Sequence, residues 1–140
     1  MAVYTKFDQF TKDLLEAKHA FGTHTFKVML TDTAPVASNS VKGDLVELSA
    51  GNGYTAGGTA TTITISTTGG VAKATATDIV FTSSGGTLGP FRYAVLYNDT
   101  QTSPAKPLVA WWDYGSSISL ASTETLTVDF DGTNGLFTIS

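Results

Sequence analysis

The sequence predicts a mainly β protein, an antiparallel β-sandwich or jelly roll carrying one N-terminal α-helix. Two observations carry that expectation. Helical spacing of apolar residues is confined to the N-terminal segment, and beyond Gly22 the chain breaks into short period-two runs bounded by Gly, Asn and Ser. The stretch Gly89 to Leu120 also gathers Phe91, Tyr93, Tyr97, Trp111, Trp112 and Tyr114 into two apolar runs joined by a polar, proline-punctuated connection, the pattern of a long β-hairpin. Short strands without intervening helices favour packed antiparallel sheets over an α/β arrangement.

Taken in order, the first element is a helix expected over residues 5–21. Thr5 and Asp8 have capping-box spacing. Phe7, Phe10, Leu14, Ala17 and Phe21 share one face, and Gly22 supplies a stop. The β-sandwich is expected over residues 24–139. In it Phe26, Val28 and Leu30 alternate on one strand, Asp44 to Leu48 reads as a second, and a glycine-rich loop runs from Ser49 to Gly58. Thr61 to Ser66 alternates β-branched Thr and Ile, and Thr68-Gly69-Gly70 turns it into Val71–Thr77. Ile79–Phe81 follows, then the aromatic hairpin, Ser117–Leu120, Thr125–Phe130 and Leu136–Ile139. No linker-like segment divides the chain, so residues 1–140 are expected to form one domain.

Composition narrows the function classes. Hydrophobic residues make up 41% of the 140, enough for a core, while charged residues are only 14%, below the roughly 25% of an average soluble protein. The polar surface must come from Thr, Ser, Gly and Asn, which are less costly to desolvate against a partner. A net charge of −4 with no basic cluster argues against nucleic acid as a partner. Without cysteine there is neither a disulfide framework nor a thiolate site. The opening MAVYTKFDQF lacks the apolar run of a signal peptide, and no stretch reaches the roughly 18 apolar residues of a membrane span. Synthesis in a cytoplasm and no membrane partner are therefore expected.

Residues able to carry chemistry are few. His19 and His24 are the only histidines, and both read as structural, His19 at the end of the helix where its dipole would favour an imidazolium. No G-x-S-x-G motif marks a nucleophile. The glycine pairs flank strands rather than open helices, so they read as turns and not as phosphate cradles. Asp129, Asp131 and Asn134 carry the hard oxygens that calcium prefers, but Asp-Gly and Asn-Gly also suit a tight hairpin turn, the reading preferred here. No catalytic set, metal or cofactor is expected. Trp111 and Trp112 must point to opposite faces of their strand. An outward Trp112, with Tyr114 on the same face, would form an aromatic platform for a partner protein or a sugar.

Several blocks also resemble a family of small virion structural proteins of tailed bacteriophages. They are Phe7…Leu14-Leu15…Lys18-His19, Thr25-Phe26-Lys27-Val28, Gly51-Asn52-Gly53-Tyr54, and above all Phe91-Arg92-Tyr93-Ala94-Val95-Leu96-Tyr97-Asn98-Asp99 and Trp112-Asp113-Tyr114-Gly115. The resemblance implies a non-enzymatic component of the virion, a head decoration (cement) protein or a tail or adaptor component. Its partners would be the major capsid protein or other virion proteins. Self-association is expected as well, since weakly charged edge strands invite pairing, with trimers or hexamers natural around capsid symmetry axes. Phe7, Phe10, Tyr97, Trp112 and Tyr114 are the residues expected at such interfaces. A carbohydrate-binding sandwich on a phage tail is the alternative.

Overall fold

The computed structural model describes residues 3–140 and bears out the mainly β architecture with a single N-terminal α-helix. In chain order the elements are β1 (Thr5–Lys6), α1 (Asp8–Leu15), β2 (Phe26–Thr31), β3 (Thr59–Thr61), β4 (Ile63–Thr68), β5 (Val71–Ala76), β6 (Ile79–Thr82), β7 (Leu88–Asn98), β8 (Leu108–Leu120), β9 (Thr125–Val128) and β10 (Phe137–Ile139). A five-stranded sheet in the order β1-β8-β7-β2-β3 is the backbone of the fold. A three-stranded sheet, β10-β5-β4, and a two-stranded one, β6-β9, pack on its inner face. Every pairing is antiparallel.

Period-two alternation sorts the central strands into two faces. Leu30, Ala94 and Trp112 align across β2, β7 and β8, as do Val28, Leu96 and Ala110. This inner face meets Ile63, Ala74, Ile79, Phe81, Phe130 and Leu136 of the opposing layer in the main core. The other face, with Met29, Val95, Tyr97 and Leu108, would be left wet in a simple sandwich. Here Phe7 inserts against it, with Leu45 and Trp111 alongside, and makes a second small core.

Residues 5–21 do not form one helix. Thr5 and Lys6 pair with Trp111 and Ala110 on β8, so the capping-box position is spent on a strand. The helix starts after Phe7, whose extended backbone (φ −75°, ψ 145°) provides no side-chain cap. It ends where Ala17 turns left-handed at φ 60°, well short of Gly22. Phe21, expected on the helix, instead returns through the following loop to stack on Phe26 at 4.6 Å.

Asp44 to Leu48 is not a strand. The Asp44 carboxylate accepts hydrogen bonds from the backbone N–H groups of Ser40 and Val41 at 2.9 and 3.1 Å, curling Lys42–Asp44 into a 3-10 turn. Asp129 to Gly135 is not a hairpin turn either, because β9 pairs with β6 while β10 pairs with β5. The segment crosses between two sheets, and Ser117–Leu120 proves to be the far end of β8. Gly58 has a physical requirement to be glycine: at φ 79° any Cβ would overlap the Val28 carbonyl oxygen.

Candidate functional site

Of the residues expected at an interface, three are core. Phe7 and Tyr97 are fully buried and Phe10 nearly so, and none of these side chains is available to a partner. Phe7 lies 4.5 Å from Trp111 on the outer face, and Phe10 packs on Phe21 and Phe137. The Tyr97 hydroxyl donates to the Gly57 carbonyl at 2.5 Å, which ties the glycine-rich loop to β7. Their aromatic character signalled core packing, a distinction that hydrophobicity alone does not make.

Trp112 and Tyr114 do come together, on the wall of a cleft of about 440 Å³ between β7–β8 and β9. Leu30, Phe91, Ala94, Leu126 and Val128 supply apolar lining, and Arg92 and Asp129 also line it. The cleft exists because β8 bulges: between Tyr93↔Asp113 and Phe91↔Ile118, two steps of β7 face five steps of β8. That detour through Tyr114, Gly115, Ser116 and Ser117 pushes the Tyr114 ring outward, leaving it 56% exposed. Trp112 is half-buried and held by edge contacts from Tyr4 and Phe130, at 5.7 and 5.2 Å. Both tryptophans are thus partly buried against their own chain, Trp111 on one face and Trp112 on the other.

Arg92, one of the lining residues, forms a two-pronged ion pair with Asp113 at 2.7 and 3.0 Å. Asp113 also accepts the Gly115 N–H at 2.8 Å, and the Arg92 bonds followed by this one hold its carboxyl below the usual carboxylate range. Asp129, which also lines the cleft, is exposed and makes no side-chain hydrogen bond among the described residues.

The remaining titratable groups hold loops in place. Asn98 centres one cluster: its amide nitrogen lies 2.9 Å from His24 Nδ1 and 3.3 Å from His19 Nδ1 and donates to the Lys18 carbonyl at 3.1 Å. His19 lies outside the helix and is buried, with no hydrogen-bond partner for Nε2 among the described residues. Burial pushes its imidazole down to about 4, against the pull of nearby Asp13, so it is neutral rather than the imidazolium expected at a helix end. Glu47 accepts from Lys42 at 2.6 Å, from the Tyr54 hydroxyl at 2.8 Å and from the Gly57 N–H. Burial alone would raise its carboxyl, but these donors outweigh it and lower it. Asp99 sits between Lys27 at 3.0 Å and Lys106 at 2.6 Å.

Asp131 and Asn134 come together, but Asp129 makes no hydrogen bond with either. Asp131 accepts the N–H groups of Thr133 and Asn134 and the Asn134 side-chain amide, all within 2.9 Å, so its acceptor capacity closes its own loop. Among the described residues no group of three or more His, Asp or Glu side chains is placed to hold a metal ion. No helix among the described residues is long and apolar enough to cross a membrane. Comparison of the chain with protein-family models, with curated proteins and with solved structures found no match.

Proposed function

We propose that the chain is a non-enzymatic structural protein of a tailed-bacteriophage virion, a decoration protein that binds the assembled head as a homo-oligomer. The observation that carries this reading is the character of the exposed surface. β4 presents an uncharged strand edge without a strand partner among the described residues, and apolar side chains stand in solvent elsewhere on the surface as well as on β4, Leu15 at 84%, Ile139 at 50% and Ile65 at 45% exposure. Such surfaces suit a protein that spends its working life packed against other proteins. The internal placement of His19, His24, Glu47 and Asp99 agrees with a role in holding the fold. The resemblance of the RYAVLYND and WDYG blocks supplies the virion context. The test is incubation with undecorated heads followed by sedimentation. The expected result is co-sedimentation that saturates; a protein left wholly in the supernatant overturns the head assignment and leaves a tail or adaptor position as the alternative.

The cleft at Trp112 supports a second reading, a carbohydrate-binding sandwich. An exposed Tyr114 in one cleft with Trp112, and Asp129 and Arg92 also lining it, is the combination a sugar ring uses for stacking and hydroxyl contacts. Tryptophan fluorescence titrated with polysaccharide, for the chain and for Trp112→Ala, separates the two readings. A saturable change lost in the variant supports sugar binding, and no change in either removes it.

A further inference from the structure

We infer that the β4 edge pairs antiparallel with β4 of a second copy of the chain across a two-fold axis through Ile65. The inference rests on the reading of the protein as self-associating and names the contact. β4 and β5 are joined by the two-residue loop Gly69-Gly70, whose φ angles of 58° and 80° are those of a type I′ turn. The closing pair of such a hairpin, Thr68 with Val71, exchanges backbone hydrogen bonds, so the bonded pairs recur at every second residue. The Thr62 carbonyl, accepting the Thr77 N–H at 3.0 Å, shows the same parity at the other end. Thr64, Ser66 and Thr68 therefore turn their N–H and C=O groups toward β5. Ile63, Ile65 and Thr67 turn theirs to the open edge, where no backbone partner meets them among the described residues.

Three properties make a second β4 the occupant. The free groups lie symmetrically about Ile65. With the axis there, each Ile65 exchanges hydrogen bonds with its counterpart and each Ile63 with the other copy's Thr67, so every open donor finds an acceptor. The strand Ile63-Thr64-Ile65-Ser66-Thr67-Thr68 also carries no charge and no proline, so one copy presents nothing that repels another, although the chain as a whole has net charge −4. Lastly, Ile65 is 45% exposed above an apolar groove of about 260 Å³ lined by Leu14, Phe21, Ala72, Ala74, Phe137 and Ile139. The axis sets the two copies' Ile65 side chains next to each other on this same face and covers both. The other edge of the sheet, β10, spans only Phe137–Ile139, and pairing β4 to it would shorten the ladder and need not close.

The test uses the full chain. Sedimentation equilibrium is expected to give twice the 14.6 kDa chain mass at high concentration, falling to the chain mass on dilution. Thr67→Pro deletes an N–H that points away from β5, so the hairpin survives while the pairing is blocked. Its expected state is a monomer with unchanged far-ultraviolet circular dichroism. A wild-type chain that is monomeric at its solubility limit overturns the inference, as does a dimer indifferent to Thr67→Pro. Should that variant fail to fold, single cysteines in this cysteine-free chain decide. Opposed residues of a bonded pair lie roughly 5.5 Å apart at Cα, within disulfide reach. Ile65→Cys is expected to oxidise to a covalent dimer, and Thr67→Cys, facing Ile63, to stay monomeric under denaturing electrophoresis; equal cross-linking overturns the register. A chain that dimerises this way but ignores capsids keeps the inference and loses the head assignment, and the converse result does the opposite.

Discussion

His19 shows how one side chain couples burial to pH. Its ring stacks on Phe21 at 5.9 Å and tilts against Phe10 and Phe26, an environment that solvates no charge. In the unfolded chain the imidazole protonates near its ordinary 6.5, whereas in the folded protein it resists until about 4. Between these values the unfolded state binds more protons, so stability is full above pH 6.5 and declines as the pH falls toward 4. Urea unfolding should show a loss of about 2 kcal/mol between pH 7 and pH 5 from this group. His19→Phe is expected to flatten that slope. A stability profile unchanged by the variant would show that the imidazole does not carry it. Burial of His19 was not legible in the sequence, where a histidine followed a helical stripe and read as a terminal residue; the left-handed Ala17 redirected it inward.

Among the elements, the long segment between β2 and β3 has almost no regular structure and is held by side chains. Glu47 does most of this, joining Lys42, Tyr54 and Gly57, while the Tyr54 hydroxyl accepts the Leu30 N–H at 3.1 Å. Glu47→Ala leaves the Tyr54 hydroxyl and the Lys42 ammonium without their acceptor and is expected to cost about 2 kcal/mol in denaturant unfolding. Glu47→Gln, which keeps an acceptor but loses the charge, should cost less. The strand expected at Asp44–Leu48 failed for the same reason. It is a short apolar run, but Asp44 and Glu47 found local and loop donors that outcompeted a ladder. Where no such competitor exists, alternation was a reliable guide, as in β2, the β4–β5 hairpin and the β7–β8 hairpin. The helix was recognised but overextended, because a continuous apolar stripe cannot reveal that Thr5–Lys6 has a strand to join.

For the whole molecule, stability is unevenly distributed. Apart from Phe7, the residues with no exposure lie on β2, β7 and β8, whereas β4 is exposed along almost its entire length. Amide exchange should therefore be slowest in β2 and β7, and in dilute protein Ile65 and Thr67 should exchange faster than Ser66 and Thr68. Raising the concentration should slow Ile65 and Thr67 selectively if β4 pairs with its copy; uniform exchange along the strand would contradict the parity derived from the turn. The cleft has a similar division of origins. That Trp111 and Trp112 take opposite faces follows from strand geometry and was readable from the sequence. The bulge that opens the cleft, and the placement of Tyr4, Phe130 and β9 around Trp112, depend on contacts between residues far apart in the chain.

By itself the sequence determined the mainly β class and the principal hairpins, because periodicity and turn residues act locally. Only the tertiary structure decided which aromatic residues are core, where the helix begins and ends, and which strand edge stays open. Those outcomes depend on which distant segments compete for the same face or the same backbone hydrogen bonds, and no local pattern records the winner.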